Sequence, residues 1–275
     1  MSERTLDYFL NRREIKQRDG AEVTWSHGVN SRRKVEEAVT GVCVRARACA
    51  CVFLYGPTHM LEADVIMRGH DPREPVMAHP PDTDSDITLQ QWLEAVKSHH
   101  KGIKLDFKSL DAVSPSVRLL EEVLPKLKFP VWVNADVLSG PGGTAAPLCP
   151  QAFLYAVSTL PSETVLSLGW TAEWTEGTEN QGYSWDMVRA MEEICRDLKH
   201  PVTFPVQAAR LSQSFSQLTW LLQQSDRYSL TVWSSPTDAL TPEDLLLYRK
   251  HTHVSRIYYD LPECQRSKVS VTLQH

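Results

Sequence analysis

No uninterrupted apolar run in these 275 residues approaches the roughly 18 to 20 that a helix needs to cross a bilayer, so no transmembrane segment is expected. The opening stretch MSERTLDYFLNRREIKQRDG mixes charges throughout and lacks the apolar centre of a secretory signal, which makes a cytoplasmic location the expectation. A basic excess is missing as well. The formal net charge is -5 and the pI lies near 6.1, whereas a protein that tracks phosphate backbones needs a positive patch, so no nucleic-acid partner is expected. No internal linker divides the chain, and 42% apolar residues suffice for one sizeable core. One domain over residues 1–275 is expected.

Cysteine pairs at zinc spacing are also lacking. Cys43, Cys49 and Cys51 fall in VCVRARACACV, residues 42–52, with no histidine beside them, and C-x5-C-x-C is a poor ligand set. Those residues are only Val, Cys, Arg and Ala, which an alternating purine-pyrimidine DNA repeat would encode. The segment from 41 to 58 reads as a low-complexity insertion. Cys149, Cys195 and Cys264 are scattered and are expected to be reduced thiols.

What is present is an alternation of short strand-like runs with segments of helical period. The runs are EVTWS (22–26), MLEADVI (60–66), IKLDF (103–107), VWVNA (131–135), TVLSLGW (164–170), VTFPV (202–206), SLTVW (229–233) and RIYYD (256–260). Thr88 with Gln91 forms a capping box, Ser184 precedes WDMVRAMEEICRDLK, and Ser114-Pro115 and Thr241-Pro242 place a cap before a first-turn proline. RRKVEEAV and SQSFSQLTWLLQQ supply further helices, PVMA (75–78) an extra strand, and residues 4–17 an N-terminal helix. Eight strands separated by helices predict an α/β fold, a (β/α)8 TIM-type barrel, with a doubly wound open sheet as the alternative.

Strand parity then places the charges. In MLEADV, Glu62 and Asp64 share one side while Leu61, Ala63 and Val65 take the other; Lys104, Asp106 and Lys108 share a side, as do Asn134 and Asp136. Outward residues of a barrel meet helices, so the charged set points inward near the strand ends. Burying charges is costly unless they are paired or bind an ion. A paired network, Lys104 with Asp106 or Glu62, answers for any single residue. The set of Glu62, Asp64 and Asp106 offers only oxygen, which suits Mg2+ or Ca2+. His27 follows the first strand and His79 ends the short extra strand, where active-site loops emerge, and such a pair can act as general base and general acid. Trp170, Asn134, Asp136 and Arg210 are placed at the mouth by parity alone.

HGVNS, LEADV, AHPP, LDFKS and VWSS together resemble the glycerophosphodiester phosphodiesterase-like superfamily, and the His27 to Asn30 form is similar to venom sphingomyelinase D enzymes. Across LDYFL, GAEVTW, GIKLDFKSL, LGWT, GYSW, HPVTFPV and DRYSLTVW the chain more closely resembles the menorin family, in its shorter form without a membrane anchor, from about residue 5 to 260 apart from 41–58. The resemblance implies a barrel of the phospholipase C-like phosphodiesterase kind. Glu62, Asp64 and Asp106 would hold Mg2+ or Ca2+, His27 and His79 would be the acid/base pair, and Lys108, Trp233 and Asn30 would bind substrate. Two positions depart from the pattern: Gly28 stands where an Arg is usual, and Asp106 where many relatives have Glu.

The function this implies is metal-dependent cleavage of a glycerophosphodiester or lysophospholipid-type ester, by water or by a neighbouring hydroxyl. Head-group choice would fall to the loops LSGPGGTAAPLCP and EWTEGTENQGYS. The alternative is a catalytically inactive barrel with a protein partner, acting in binding or signalling, since a menorin-family relative works in an extracellular adhesion complex.

Overall fold

The computed structural model describes residues 4–41, 58–126, 128–172, 181–235, 238, 242–262 and 265. Eight parallel strands run in chain order: β1 (Trp25–Ser26), β2 (Met60–Met67), β4 (Gly102–Phe107), β5 (Val131–Ser139), β6 (Val165–Thr171), β7 (Val202–Gln207), β8 (Tyr228–Trp233) and β9 (Ile257–Asp260). A ninth strand, β3 (Pro75–Met77), pairs antiparallel with the upper end of β2. The helices are α1 (Arg4–Asn11), α2 (Arg32–Thr40), α3 (Leu89–Val96), α4 (Leu110–Val123), α5 (Pro150–Val157), α6 (Trp185–Cys195), α7 (Phe215–Gln223) and α8 (Pro242–Arg249). Such an order gives a nearly closed TIM-type barrel. At the seam between β9 and β1, Gly20 lies so close that a Cβ on it would stand 2.2 Å from the Ile257 carbonyl oxygen, and His27 reaches Asp260 across the gap.

The outward residues Leu61, Ala63, Val65, Ile103, Leu105 and Phe107 share one buried core with Trp92, Leu93, Val117 and Leu120 of the helices. Inside the barrel a separate cluster forms a floor. Leu6 and Phe9 of α1 meet Trp25, Met60, Trp132, Val165 and Tyr258. The Trp132 indole donates to Thr5 Oγ1 at 3.0 Å, tying α1 to the strands. Neighbouring strands match polar positions above this floor: Glu62 lies opposite Lys104, Asp64 opposite Asp106, Asp106 opposite Asn134, and Asn134 opposite Ser167.

Both capping signals hold: Thr88 accepts from the Gln91 amide with the reciprocal bond present, and Ser184 accepts from Met187. The cap expected at Thr241 and the segment 42–57 lie outside the described residues. Three expectations need correction. Helix α1 ends at Asn11 rather than near 17, because Arg13 turns to φ 61 and breaks the helical path. Strand β1 is two residues long, since residues 20–22 form a 3-10 turn capped by Asp19. Helix α4 begins at Leu110, so Pro115 is internal and not a first-turn residue. Pro115 removes the amide that Asp111 would receive four residues on, and Asp111 is exposed, where water can take its carbonyl.

Candidate active site

Strand β1 hands over to a short loop, His27 to Asn30, that continues along the same edge of β2. The Val29 amide donates to the Glu62 carbonyl at 2.8 Å, and the Asp64 amide donates to Asn30 Oδ1 at 2.9 Å, so a side chain completes what a strand would do. Asn30 Nδ2 also donates to Asp64 Oδ2 at 2.7 Å. Both ends of that amide are therefore spent on orienting Asp64. Gly28 sits at φ +63, a conformation that a larger residue adopts only with strain, and from there its amide donates to Glu62 Oε2 at 2.7 Å.

Glu62 is fully buried and Asp64 nearly so. One oxygen each from Glu62, Asp64 and Asp106 lies within 4.8 Å of the others. Asp106 Oδ1 accepts from Asn134 Nδ2 at 2.5 Å, and the Ser167 hydroxyl donates to Asn134 Oδ1, which fixes the amide's direction. Lys108 donates to Asp106 Oδ2 at 2.7 Å and stands 3.4 Å from Asp64 Oδ1. Glu62 Oε1 alone of the triad's oxygens is buried with no hydrogen-bond partner.

That orphaned oxygen bears on whether a cation fits. An unpaired carboxylate oxygen in a closed interior is costly, and a metal ligated there would satisfy it. Charge points the same way. Five carboxylates, Glu62, Asp64, Asp106, Asp136 and Asp260, face Lys104, Lys108 and His27, which leaves an excess that a divalent cation would balance. The donors are all oxygen, so the residues fit a hard cation such as Mg2+ or Ca2+.

His27 Nδ1 lies 3.2 Å from Glu62 Oε2 and 3.1 Å from Asp260 Oδ2, while the side chain as a whole is 65% exposed. With Nδ1 committed inward, Nε2 is left to the open side. Glu62, working against the desolvation of the inner edge and together with Asp260, holds the imidazolium to about 9. Glu62 itself is pushed up by burial and by Asp64 and Asp106, against His27 and Lys104. Burial pushes Asp106 up, but Lys108, Lys104 and the Asn134 bond pull it further down. Lys104 is almost wholly buried 3.9 Å from Asp260, with its ammonium over the ring of Trp25, rather than paired first with Asp106 or Glu62. Burial alone would lower it, and Asp260, Glu62 and Asp106 raise it.

The remaining sequence-derived residues are spread more widely. Asn134 and Asp136 point into the mouth, Asp136 pushed up by burial and by Asp106. Trp233 ends β8 half-buried, in register with Gln207 and Asp260. Arg210 is buried, donating to Gln207 Oε1 at 2.9 Å and to the Gln181 carbonyl. Trp170 turns outward into the core beside Tyr183 and Phe204, which corrects its placement at the mouth: it follows Gly169, the inward partner of Asp136. His79 is exposed and its Nδ1 bonds the Pro80 carbonyl at 2.6 Å rather than a carboxylate. Asp260 was not singled out by sequence, although its parity with Tyr258 in IYYD at the end of the last strand is the same signal that marked Glu62 and Asp64.

Residues 19–266 match the menorin N-terminal domain. The chain belongs to the menorin family. Protein FAM151B of Homo sapiens is 47% identical over 266 residues, which cover 96% of this chain and 91% of that protein. A GH18 chitinase from Pseudoalteromonas aurantia aligns over 86% of this chain and 76% of its own at 10% identity, with a TM-score of 0.34, too low to support an argument about fold or function. Among the described residues of this menorin-family chain, no helix is long and apolar enough to cross a membrane.

Proposed function

We propose that this protein is a metal-dependent phosphodiesterase of the phospholipase C-like kind, acting on a glycerophosphodiester or lysophospholipid-type ester. The observation that carries the reading is Glu62 Oε1, a buried carboxylate oxygen without a donor, set beside Asp64 and Asp106. A Mg2+ or Ca2+ ion, when bound, would neutralise the charge that develops on the phosphate oxygens. Glu62, Asp64 and Asp106 would hold it, with Gly28 and Asn30 fixing the first two side chains. Lys108 adds positive charge beside them, and Trp233 lines the pocket.

His27 Nε2 and His79 carry the two protons. One takes the proton of the attacking water or substrate hydroxyl as its oxygen bonds to phosphorus; the other gives a proton to the leaving oxygen as its bond to phosphorus breaks. Water yields a phosphomonoester and an alcohol, and a neighbouring hydroxyl yields a cyclic phosphate and an alcohol. The exposed position of His79 favours a second reading, a barrel kept for binding or signalling. A panel of glycerophosphodiesters and lysophospholipids, assayed with Mg2+, Ca2+ or a chelator, separates the two. Turnover is expected only with metal, and His27→Ala should reduce it by roughly 100-fold or more while metal binding persists. Metal binding without turnover across the panel would leave the binding reading.

A further inference from the structure

We propose that Lys34 is the residue that greets the anionic group of a ligand at the barrel mouth. This rests on the reading of the mouth as a phosphate-ester site. Three consecutive cations open α2, and they are disposed differently. Arg32 turns to the Asp86 carbonyl at 2.7 Å and to Gln91, and Arg33 lies 4.0 Å from Glu37. Lys34 instead folds back over the loop beside His27 and donates to the Gly28 carbonyl at 2.7 Å.

That carbonyl has another donor already, the Asn30 amide at 2.8 Å. Withdrawing the ammonium would leave no acceptor unsatisfied, so Lys34 can change partner at little cost. The mouth's other lysines lack this freedom: Lys108 is held by Asp106 and Asp64, and Lys104 is buried against Asp260. Among the described residues no carboxylate pairs with Lys34. Its position is also set by the site itself, because the Gly28 whose carbonyl it touches gives its amide to Glu62. A Cβ on Gly28 would lie 3.6 Å from Lys34 Nζ, an ordinary contact distance, so the ammonium stands directly against the loop that follows β1. The chemistry that fits is a singly or doubly charged phosphate oxygen cluster, bound as by any mobile ammonium.

Inorganic phosphate is the probe, titrated calorimetrically into the full chain in the presence of Mg2+. Lys34→Met is expected to weaken phosphate binding roughly threefold to tenfold, Lys34→Arg to stay within about twofold, and Arg33→Met to match the unaltered protein. Phosphate binding equal in Lys34→Met and the unaltered protein, or no phosphate binding by the unaltered protein, would overturn the assignment. Turnover is read separately. If phosphate binds through Lys34 but no ester is cleaved, the enzymatic reading fails and the contact stands; if esters are cleaved and Lys34→Met leaves KM unchanged, the contact fails and the enzyme stands.

Discussion

At the floor of the barrel, Trp132 meets Trp25 and Tyr258 edge to face, at 5.3 and 5.0 Å, and donates to Thr5 of the helix that seals the opening. At the mouth, on the same strands and the same inward parity, Glu62, Asp64, Asp106 and Asp136 crowd around two lysines, and one buried oxygen goes without a partner. The floor is apolar and closely packed. The mouth stores like-charge repulsion that His27, Lys104 and Lys108 offset only in part, since Glu62 and Asp136 are still pushed up. One barrel thus separates the two duties along its axis: packing at the N-terminal ends of the strands supports an unfavourable charge arrangement at the C-terminal ends.

Two substitutions break the comparison most sharply. Trp132→Ala should cost about 3–5 kcal/mol in denaturant unfolding, because it opens a cavity and strands Thr5. Its effect on Mg2+ or Ca2+ affinity should be within about twofold. Glu62→Gln should do the reverse. It keeps the shape and an acceptor for the Gly28 amide but removes one of the clustered negative charges, so metal affinity should fall about 100-fold or more while the metal-free protein is as stable as before or more so. If the two variants moved the same quantity, the division between floor and mouth would be wrong. A milder version sits one shell out: Asn30→Ala frees Asp64 to rotate and should lower metal affinity about 10-fold to 100-fold, read by the same titration.

The mouth was legible from parity because strands have a period of two, and acids at 62, 64 and 106 cannot face the helices. Helix starts with a side-chain cap, at Thr88 and Ser184, were legible for the same local reason. Where no side chain caps, the sequence misled: Ser109 begins α4 without a capping bond, so the more conspicuous Ser114-Pro115 drew the boundary five residues late. Asp260 escaped notice because it acts across the seam of the barrel, 233 residues from His27, and closure is a tertiary fact. The task of Asn30 was hidden too, since standing in for a strand at the edge of β2 depends on where β1 stops.

The smallest expected effect tests the floor by pH. His59 lies at the start of β2, 3% exposed, with Nδ1 accepting from the Thr24 amide at 3.0 Å and the Phe9 ring 5.0 Å away. Burial lowers its affinity for a proton, and Lys101 works in the same direction, while Glu14 and Glu22 oppose it. The folded protein therefore prefers the neutral ring. Its contribution to stability is fully present above the ordinary value of about 6.5 and is lost as pH falls below that, down through the lower folded-state value, because the unfolded chain takes up the proton first. Comparing urea midpoints at successive pH values in chelator, His59→Gln should match the unaltered protein at alkaline pH and lose less stability on acidification. The difference between the two curves isolates this ring from the titrating acids of the mouth, which both proteins share. Parallel curves would mean that the floor, like the outer core, is indifferent to pH, and that acid sensitivity belongs to the mouth alone.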